Sequence, residues 1–256
     1  MLDRDPYFEL RLAQSAEDIL GAQRLRYRVF VRELGGDGPL VDHEAEREQD
    51  RFDPFFDHLI LVDTRLAPPD HVVGVYRLLL PDQAVAAGQY YSEDEYDLDV
   101  LQRSGRRCLE LGRSCVDRAY RGGTAMMHLW AGLADYVETH RIDVLFGVAS
   151  FHGTDVEALS NALSFLHHNH LAPPELRVRA KPAVFQPMDL RPKDQIDRRA
   201  AMVATPSLIK GYLRLGGVVG EGAFVDHAFN TTDVCLIMDT QKMNARQKAL
   251  YARAGA

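Results

Sequence analysis

The stretch 108–129, CLELGRSCVDRAYRGGTAMMHL, decides how the rest of the chain is read. A short apolar run carrying Glu110 and Arg113 ends at Val116, passes through a basic loop with Gly122 and Gly123, and becomes an amphipathic helix. The spacing predicts strand, loop and helix in that order. A loop that opens a helix presents unpaired N–H groups and the positive end of the helix dipole, and Arg121 adds a full charge. Val116, Arg121, Gly122, Gly123 and Thr124 are therefore candidates to hold a phosphorylated group. Strand-Gly-Gly-helix junctions also occur where glycine merely permits a tight turn, so the pattern gains weight only from its surroundings.

On an ideal strand Glu110, Gly112, Ser114 and Val116 share one face, while Leu111, Arg113 and Cys115 share the other. Glu110 and Arg113 would then point apart. A bulge at Gly112 would reset the alternation, bring both charges toward one cleft and release backbone donors able to hold an oxyanion.

With 256 residues, 46% of them hydrophobic, the chain can bury a large core, and a single elaborated domain over 1–256 is expected. No apolar run is long enough to span a bilayer, and the opening MLDRDPYFEL lacks the basic-then-apolar order of a secretory signal, which points to the cytoplasm. Cys108, Cys115 and Cys235 form no CxxC pair and read as buried thiols. A net charge of −7 argues against general nucleic-acid binding.

Working outward, Tyr7 to Ala13 reads as a first strand, and Ser15 with Asp18 as a capping signal for a helix reaching about Leu34. That helix carries Arg24, Arg26, Arg28 and Arg32, either solvated or partly directed into a cleft. The segment 35–57 lacks periodicity and is acidic, with Glu48, Asp50 and Asp53 among Phe52, Phe55 and Phe56. Those aromatics should pack the loop against the body and fix some carboxylates, an arrangement suited to a cationic ligand or a general base. His58 to Asp63 and Val72 to Leu80 read as a hairpin across a Pro-rich turn. Arg77 interrupts the second strand and needs an anionic partner or ligand.

The segment 81–107 reads as a surface insertion. Met126, Leu129, Trp130, Leu133 and Val137 follow helical spacing and should face the sheet. Val144 to Ala149 is a buried-strand candidate that leaves Ser150 and His152 in a turn at its carboxyl end, where open sheets bind ligands. The run His167, His168, Asn169, His170 lacks a helical i, i+4 ligand pair and reads as a polar helix end, so no metal is expected. The Pro-rich segment 172–206 gathers Arg177, Arg179, Lys181, Arg191, Lys193, Arg198 and Arg199. It is a local basic surface suited to an acidic carrier domain or anionic headgroups, or simply a soluble loop. Ser207 to Leu215 reads as an amphipathic helix, Asp233 to Asp239 as a late strand, and 240–256 as a polar terminal helix.

The strand-loop-helix core resembles the N-acetyltransferase (GNAT) superfamily, with Arg121 in place and Thr124 and Met126 at two small-residue positions of its loop. That departure favours a carrier-protein thioester over coenzyme A. Glu48-x-Asp50-x-x-Asp53, Arg77 in a Val-Gly-x-x-Arg setting and Glu110-x-x-Arg113 resemble the acyl-homoserine-lactone synthase branch. The runs 110–117, 120–123, 150–155, 166–168, 171–174 and 210–216 resemble the ornithine N-acyltransferase family of ornithine-lipid synthesis, in order along nearly the whole chain.

The resemblance implies an α/β fold with a mixed, mostly antiparallel central sheet, a splayed strand pair and flanking helices. It implies transfer of a 3-hydroxyacyl group from acyl carrier protein to the α-amine of L-ornithine, giving lyso-ornithine lipid. No cofactor is permanently bound; the phosphopantetheine thioester of the carrier is the co-substrate. Glu110, Glu48 and Asp50 become candidate catalytic carboxylates, with Asp53, Arg77, Arg113, Ser150 and His152 as substrate-binding residues. Arg177, Arg179, Lys181, Arg198 and Arg199 would dock the carrier, and a lipid product adds peripheral contact with the inner membrane to the expectations. The same network could instead pin the acidic loop to the sheet. Three rival functions stay open: a lactone synthase using S-adenosylmethionine, a non-catalytic carrier- or lipid-binding module, and a coenzyme A-dependent acetyltransferase.

Overall fold

The computed structural model describes residues 7–243, so the expected terminal helix lies, from 244 onward, outside the described residues. In chain order the elements begin with β1 (Phe8–Leu12), α1 (Ala16–Arg26), β2 (Asp57–Asp63), β3 (Val72–Leu79) and α2 (Pro81–Ala87). Then come β4 (Tyr96–Asp97), α3 (Asp99–Gln102), β5 (Cys108–Val116), α4 (Ala125–Thr139), β6 (Val144–His152) and α5 (Ser160–His170). The last are β7 (Arg179–Ala180), α6 (Arg198–Ala204), α7 (Ser207–Arg214), β8 (Val218–Val219), β9 (Phe224–Asp226) and β10 (Thr231–Asp239). The fold is mixed α/β with a mostly antiparallel central sheet flanked by helices.

Two compact units emerge. The first contains residues 7–88 and 111–141, the second 89–110 and 142–243. In the first, β2 pairs antiparallel with β1 and with β3, and the Asp117 N–H donates to the Val73 carbonyl at 2.9 Å where β5 ends. Every residue of β3 is buried, because helices cover both faces of this sheet. Two glycines permit the close approach. A Cβ on Gly21 of α1 would lie 2.7 Å from the Pro69 carbonyl, and one on Gly132 of α4 would lie 2.5 Å from Leu10.

The predicted cap on α1 forms as a capping box: Ser15 Oγ accepts from the Asp18 N–H at 3.1 Å, and the Asp18 carboxylate accepts from the Ser15 N–H at 3.2 Å. The helix then departs from expectation. From Tyr27 to Glu33 it continues as a π-helical stretch, with the Leu34 N–H donating to the Val29 carbonyl. The wider turn changes the angular positions of Arg28 and Arg32, which it carries.

In the second unit β6 and β10 pair antiparallel along their full lengths, with β8 and β9 also on β10. β5 joins β6 in parallel through three pairs, from Cys108 with Val144 to Glu110 with Phe146, and passes into the first unit at Leu111. Two expectations are corrected here. β6 runs on through His152 instead of stopping at Ala149, because β10 supplies a ladder partner for each residue. The segment 81–107 lies only partly at the surface: Val85 is exposed, but Tyr96, Leu98 and Leu101 are buried, and the Tyr96 hydroxyl donates to the Gly222 and Asp233 carbonyls at 3.1 Å. Its apolar residues lie between acids, so charge masked its core character.

Candidate active site

The first unit gathers six charged side chains from four places in the sequence, Arg26, the 48–53 segment, Arg77 and Arg113. Arg26, at the end of α1, is fully buried; its Nε donates to Glu48, its Nη1 to Asp53 at 2.7 Å and its Nη2 to the Glu48 carbonyl at 2.9 Å. Arg77 of β3, equally buried, donates from Nη1 to Asp50 and Asp53, both at 2.7 Å, and lies 4.4 Å over the Phe56 ring. Arg113 of β5 closes the set, 3.2 Å from Glu48 and 3.4 Å from Asp50. Phe52 and Phe56 are buried, as the loop reading required, and hold the acidic segment against the sheet. Asp50 and Arg113 are the members that reach solvent, with side chains 17% and 15% exposed.

The electrostatics are mutual. Burial pushes the Glu48, Asp50 and Asp53 carboxyls up, but neighbouring guanidiniums outweigh it, led by Arg26 for Glu48 and Asp53 and by Arg77 for Asp50. All three stay below their ordinary values and remain ionised near neutral pH. His58, the cross-strand partner of Arg77, is lowered to about 4 by burial first and then by the Arg26 charge. Its Nε2 lies 3.1 Å from the Asp53 carbonyl, which can only accept, so the proton sits on Nε2. Nδ1 is buried without a hydrogen-bond partner among the described residues.

The backbone irregularity expected at Gly112 falls instead on Arg113, whose φ is 47°, in the left-handed region. Gly112 lies against the network: a Cβ there would make ordinary contact, 3.7 Å, with Arg77 Nε and with Phe56. In the same strand the Ser114 Oγ is buried with no hydrogen-bond partner among the described residues.

Glu110 makes its contacts in the second unit. It is 1% exposed, and its carboxylate accepts from the Tyr91 and Ser92 N–H groups at 2.7 Å each and from Ser92 Oγ at 2.5 Å. The residue in the left-handed region, Arg113, follows Glu110 by three positions, and the donors at Tyr91 and Ser92 belong to the turn at 91–94. Sequence reasoning missed Ser92 and His58, and left open which arginine of α1 is buried. A serine between Tyr91 and Glu93, 18 residues from its partner, gives no local signal.

At the glycine loop, Arg121 binds Glu33 through two hydrogen bonds of 2.5 and 2.8 Å and donates to the Val116 carbonyl at 2.9 Å. α4 starts at Ala125 with no side-chain cap from Thr124 and no acid in its first turn, and Gly122 takes a φ of 81°. Cys115 is pushed up to about 12 and Cys108 to about 11, in both cases chiefly by burial, which makes either a poor nucleophile. Ser150 and His152 are exposed positions of β6, paired with Asp233 and Thr231. In the basic segment Arg177 donates to the Ala172 carbonyl at 2.7 Å, Arg179 pairs with Glu221 at 2.5 Å, and Lys181, Arg198 and Arg199 are exposed. His168 Nε2 lies 2.9 Å from Asp189, and ligand atoms of His167, His168 and Asp189 all lie within 4.8 Å of one another.

Residues 25–131 match the family model of the acetyltransferase (GNAT) domain. Among solved structures, a CoA-dependent acyl-homoserine lactone synthase matches with a TM-score of 0.50 at 15% identity, covering 94% of this chain and 83% of that one. An N-acyl amino acid synthase from uncultured soil microbes matches with a TM-score of 0.52 at 12% identity, covering 96% and 97%. Both establish the fold. An L-ornithine N(alpha)-acyltransferase of Rhodobacter capsulatus is 59% identical over 96% of this chain and 95% of its own. One of Brucella abortus is 45% identical over 98% and 91%. With identity of this depth along nearly its entire length, the chain is an acyltransferase and belongs to the L-ornithine N(alpha)-acyltransferase family.

Proposed function

We propose that the protein transfers a 3-hydroxyacyl group from the phosphopantetheine thioester of acyl carrier protein to the α-amine of L-ornithine, yielding lyso-ornithine lipid. The relatives' name supports the acceptor. The observation that carries the reading is the solvent-reaching pair Asp50 and Arg113 at the edge of an otherwise buried network. An amino-acid acceptor presents a carboxylate and an ammonium side by side, and a guanidinium beside a carboxylate complements that pattern.

In this reading Arg113 takes the ornithine carboxylate, Asp50 seats an ammonium group, and Asp53 with Arg77 holds both in place. Glu48 and Asp50 are weak bases because guanidiniums stabilise their charged forms. Glu110 is kept beside them as a candidate to remove the proton, directly or through water. The neutral amine attacks the thioester carbonyl, a C–N bond forms, the C–S bond breaks, and the sulfur leaves as the carrier's thiol once protonated. Backbone donors of β5 beside Gly112 hold the oxyanion. No acyl-enzyme is needed, since an oriented amine attacks a thioester directly, and the raised thiol of Cys115 fits that route.

Backbone groups at Gly122, Gly123 and Thr124 receive the pantetheine phosphate, with Val116 and Arg121 shaping the loop. Ser150 and His152 are retained as substrate contacts on their exposure. The carrier docks on the basic segment around Arg177, Arg179 and Lys181. No described helix is long and apolar enough to cross a membrane, and the working place is read as cytoplasm with peripheral contact at the inner membrane.

The test is purified protein with 3-hydroxyacyl carrier protein and a panel of ornithine, lysine, glycine and S-adenosylmethionine, read by product mass. Ornithine alone should give an amide, and Asp50→Asn should lose it while the protein stays folded. A lactone from S-adenosylmethionine, or no thiol released with any amine, would overturn the assignment.

A further inference from the structure

We infer that the outer face of α6 is a docking surface for anionic lipid headgroups. Met202 and Val203 are 37% and 77% exposed, and they are neighbours on one helix, whereas Tyr7, Leu40, Leu66 and Val85 are exposed apolar residues lying apart in the chain. Scattered exposed apolar residues need no explanation; this pair is singled out by the cations around it.

The helix is anchored from behind. Ala201 and Thr205 are buried, and Thr205 Oγ1 donates to the Ala201 carbonyl at 2.8 Å. At the front, positions 198 and 202 form one i, i+4 row and 199 and 203 the next, so each guanidinium sits one turn from an apolar side chain. Lys210 of α7 adds its ammonium beside Met202, donating to that residue's carbonyl at 3.1 Å.

Between 193 and 214 five cations stand against Asp194 and Asp197, in a chain whose net charge is −7. Asp197 is turned into the helix start, accepting from the Arg199 and Ala200 N–H groups. Two apolar side chains ringed by long cations can enter the acyl boundary while the charges stay at phosphate level. A protein carrier of acidic surface would match the charges but leave Val203 in water. Such a surface would also suit an enzyme whose product carries an acyl chain, and to that extent it rests on the proposed reaction.

The experiment sediments the full chain with vesicles of phosphatidylcholine alone and of equal parts phosphatidylcholine and phosphatidylglycerol. Binding should require phosphatidylglycerol and fade with salt. Val203→Glu and Met202→Glu should each cut partitioning roughly tenfold, and Arg198→Gln with Arg199→Gln together by roughly 10- to 30-fold. The two glutamate variants should keep their melting temperature and their turnover with soluble carrier thioester and ornithine. Vesicle binding equal to wild type in the glutamate variants would overturn the inference. So would a raised KM for the carrier thioester in the arginine variants with vesicle binding intact, which would assign the surface to the carrier. Vesicle binding without ornithine turnover would support the surface and count against the reaction.

Discussion

Glu48 and Glu110 are buried to the same 1% exposure, and different kinds of donor reach them. Glu48 faces the full charges of Arg26 and Arg113, while the Tyr91 and Ser92 groups that reach Glu110 are neutral. Charge pairing cancels a carboxylate's charge and immobilises it; dipoles solvate the carboxylate and leave its charge in place. The first arrangement suits a scaffold that orients a zwitterion. In the second, each neutral donor taken away makes the carboxylate a stronger base.

The comparison can be broken hardest at Arg26. Arg26→Met leaves Glu48 and Asp53 buried without their main counter-ion and should cost about 3–5 kcal/mol in denaturant unfolding. A loss below about 1 kcal/mol would mean that these carboxylates find solvent or other donors, and the contrast with Glu110 would fail.

A somewhat smaller effect separates His58 from the carboxylates by pH. Its folded value, lowered from 6.5 to about 4, means that the unfolded chain takes up a proton first. Stability is therefore full above about pH 6.5 and falls as pH drops toward 4, by about 3 kcal/mol in all. The depressed carboxylates contribute in a different window, above their unfolded values near 4, and are lost only in stronger acid. His58→Gln should flatten the upper slope and leave the lower one, measured by unfolding at a series of pH values.

Ser92→Ala removes one neutral donor from Glu110 and should cost about 1–2 kcal/mol. If Glu110 is the base, the variant should also shift the acid limb of the rate profile. An unmoved profile would send Glu110 back to a scaffold role. The smallest stability change, within about 1 kcal/mol, is expected for Arg113→Lys, whose site is partly solvated. It keeps the charge and loses the planar fork, so the KM for ornithine should rise more than kcat falls.

Local patterns were legible where local physics decides. Ser15 and Asp18 announce a cap, the β2 and β3 hairpin follows from two apolar runs around a Pro-rich turn, and the stripe Leu129, Trp130 and Leu133 falls on the buried face of α4. The members of the charged network were also readable as candidates, because carboxylates among phenylalanines and an arginine inside a strand are costly without partners. The left-handed Arg113 could not be read, since a non-glycine residue at positive φ runs against its own propensity and persists only when surroundings hold it. Nor could the burial of 89–101, where acids alternate with tyrosines and leucines and only the packing shows which ones turn inward.

What the sequence by itself determined was the inventory: three carboxylates close together, arginines on a helix and two strands, a glycine loop before an amphipathic helix. Tertiary structure alone decided that Arg26, and not Arg24, Arg28 or Arg32, is the one sealed inside, and that Glu110 takes Ser92 as a donor. The reason is one of range. Caps and periodicity act within a turn or two of chain, whereas a buried charge is settled by partners tens of residues away, and folding keeps the arrangement in which those partners meet.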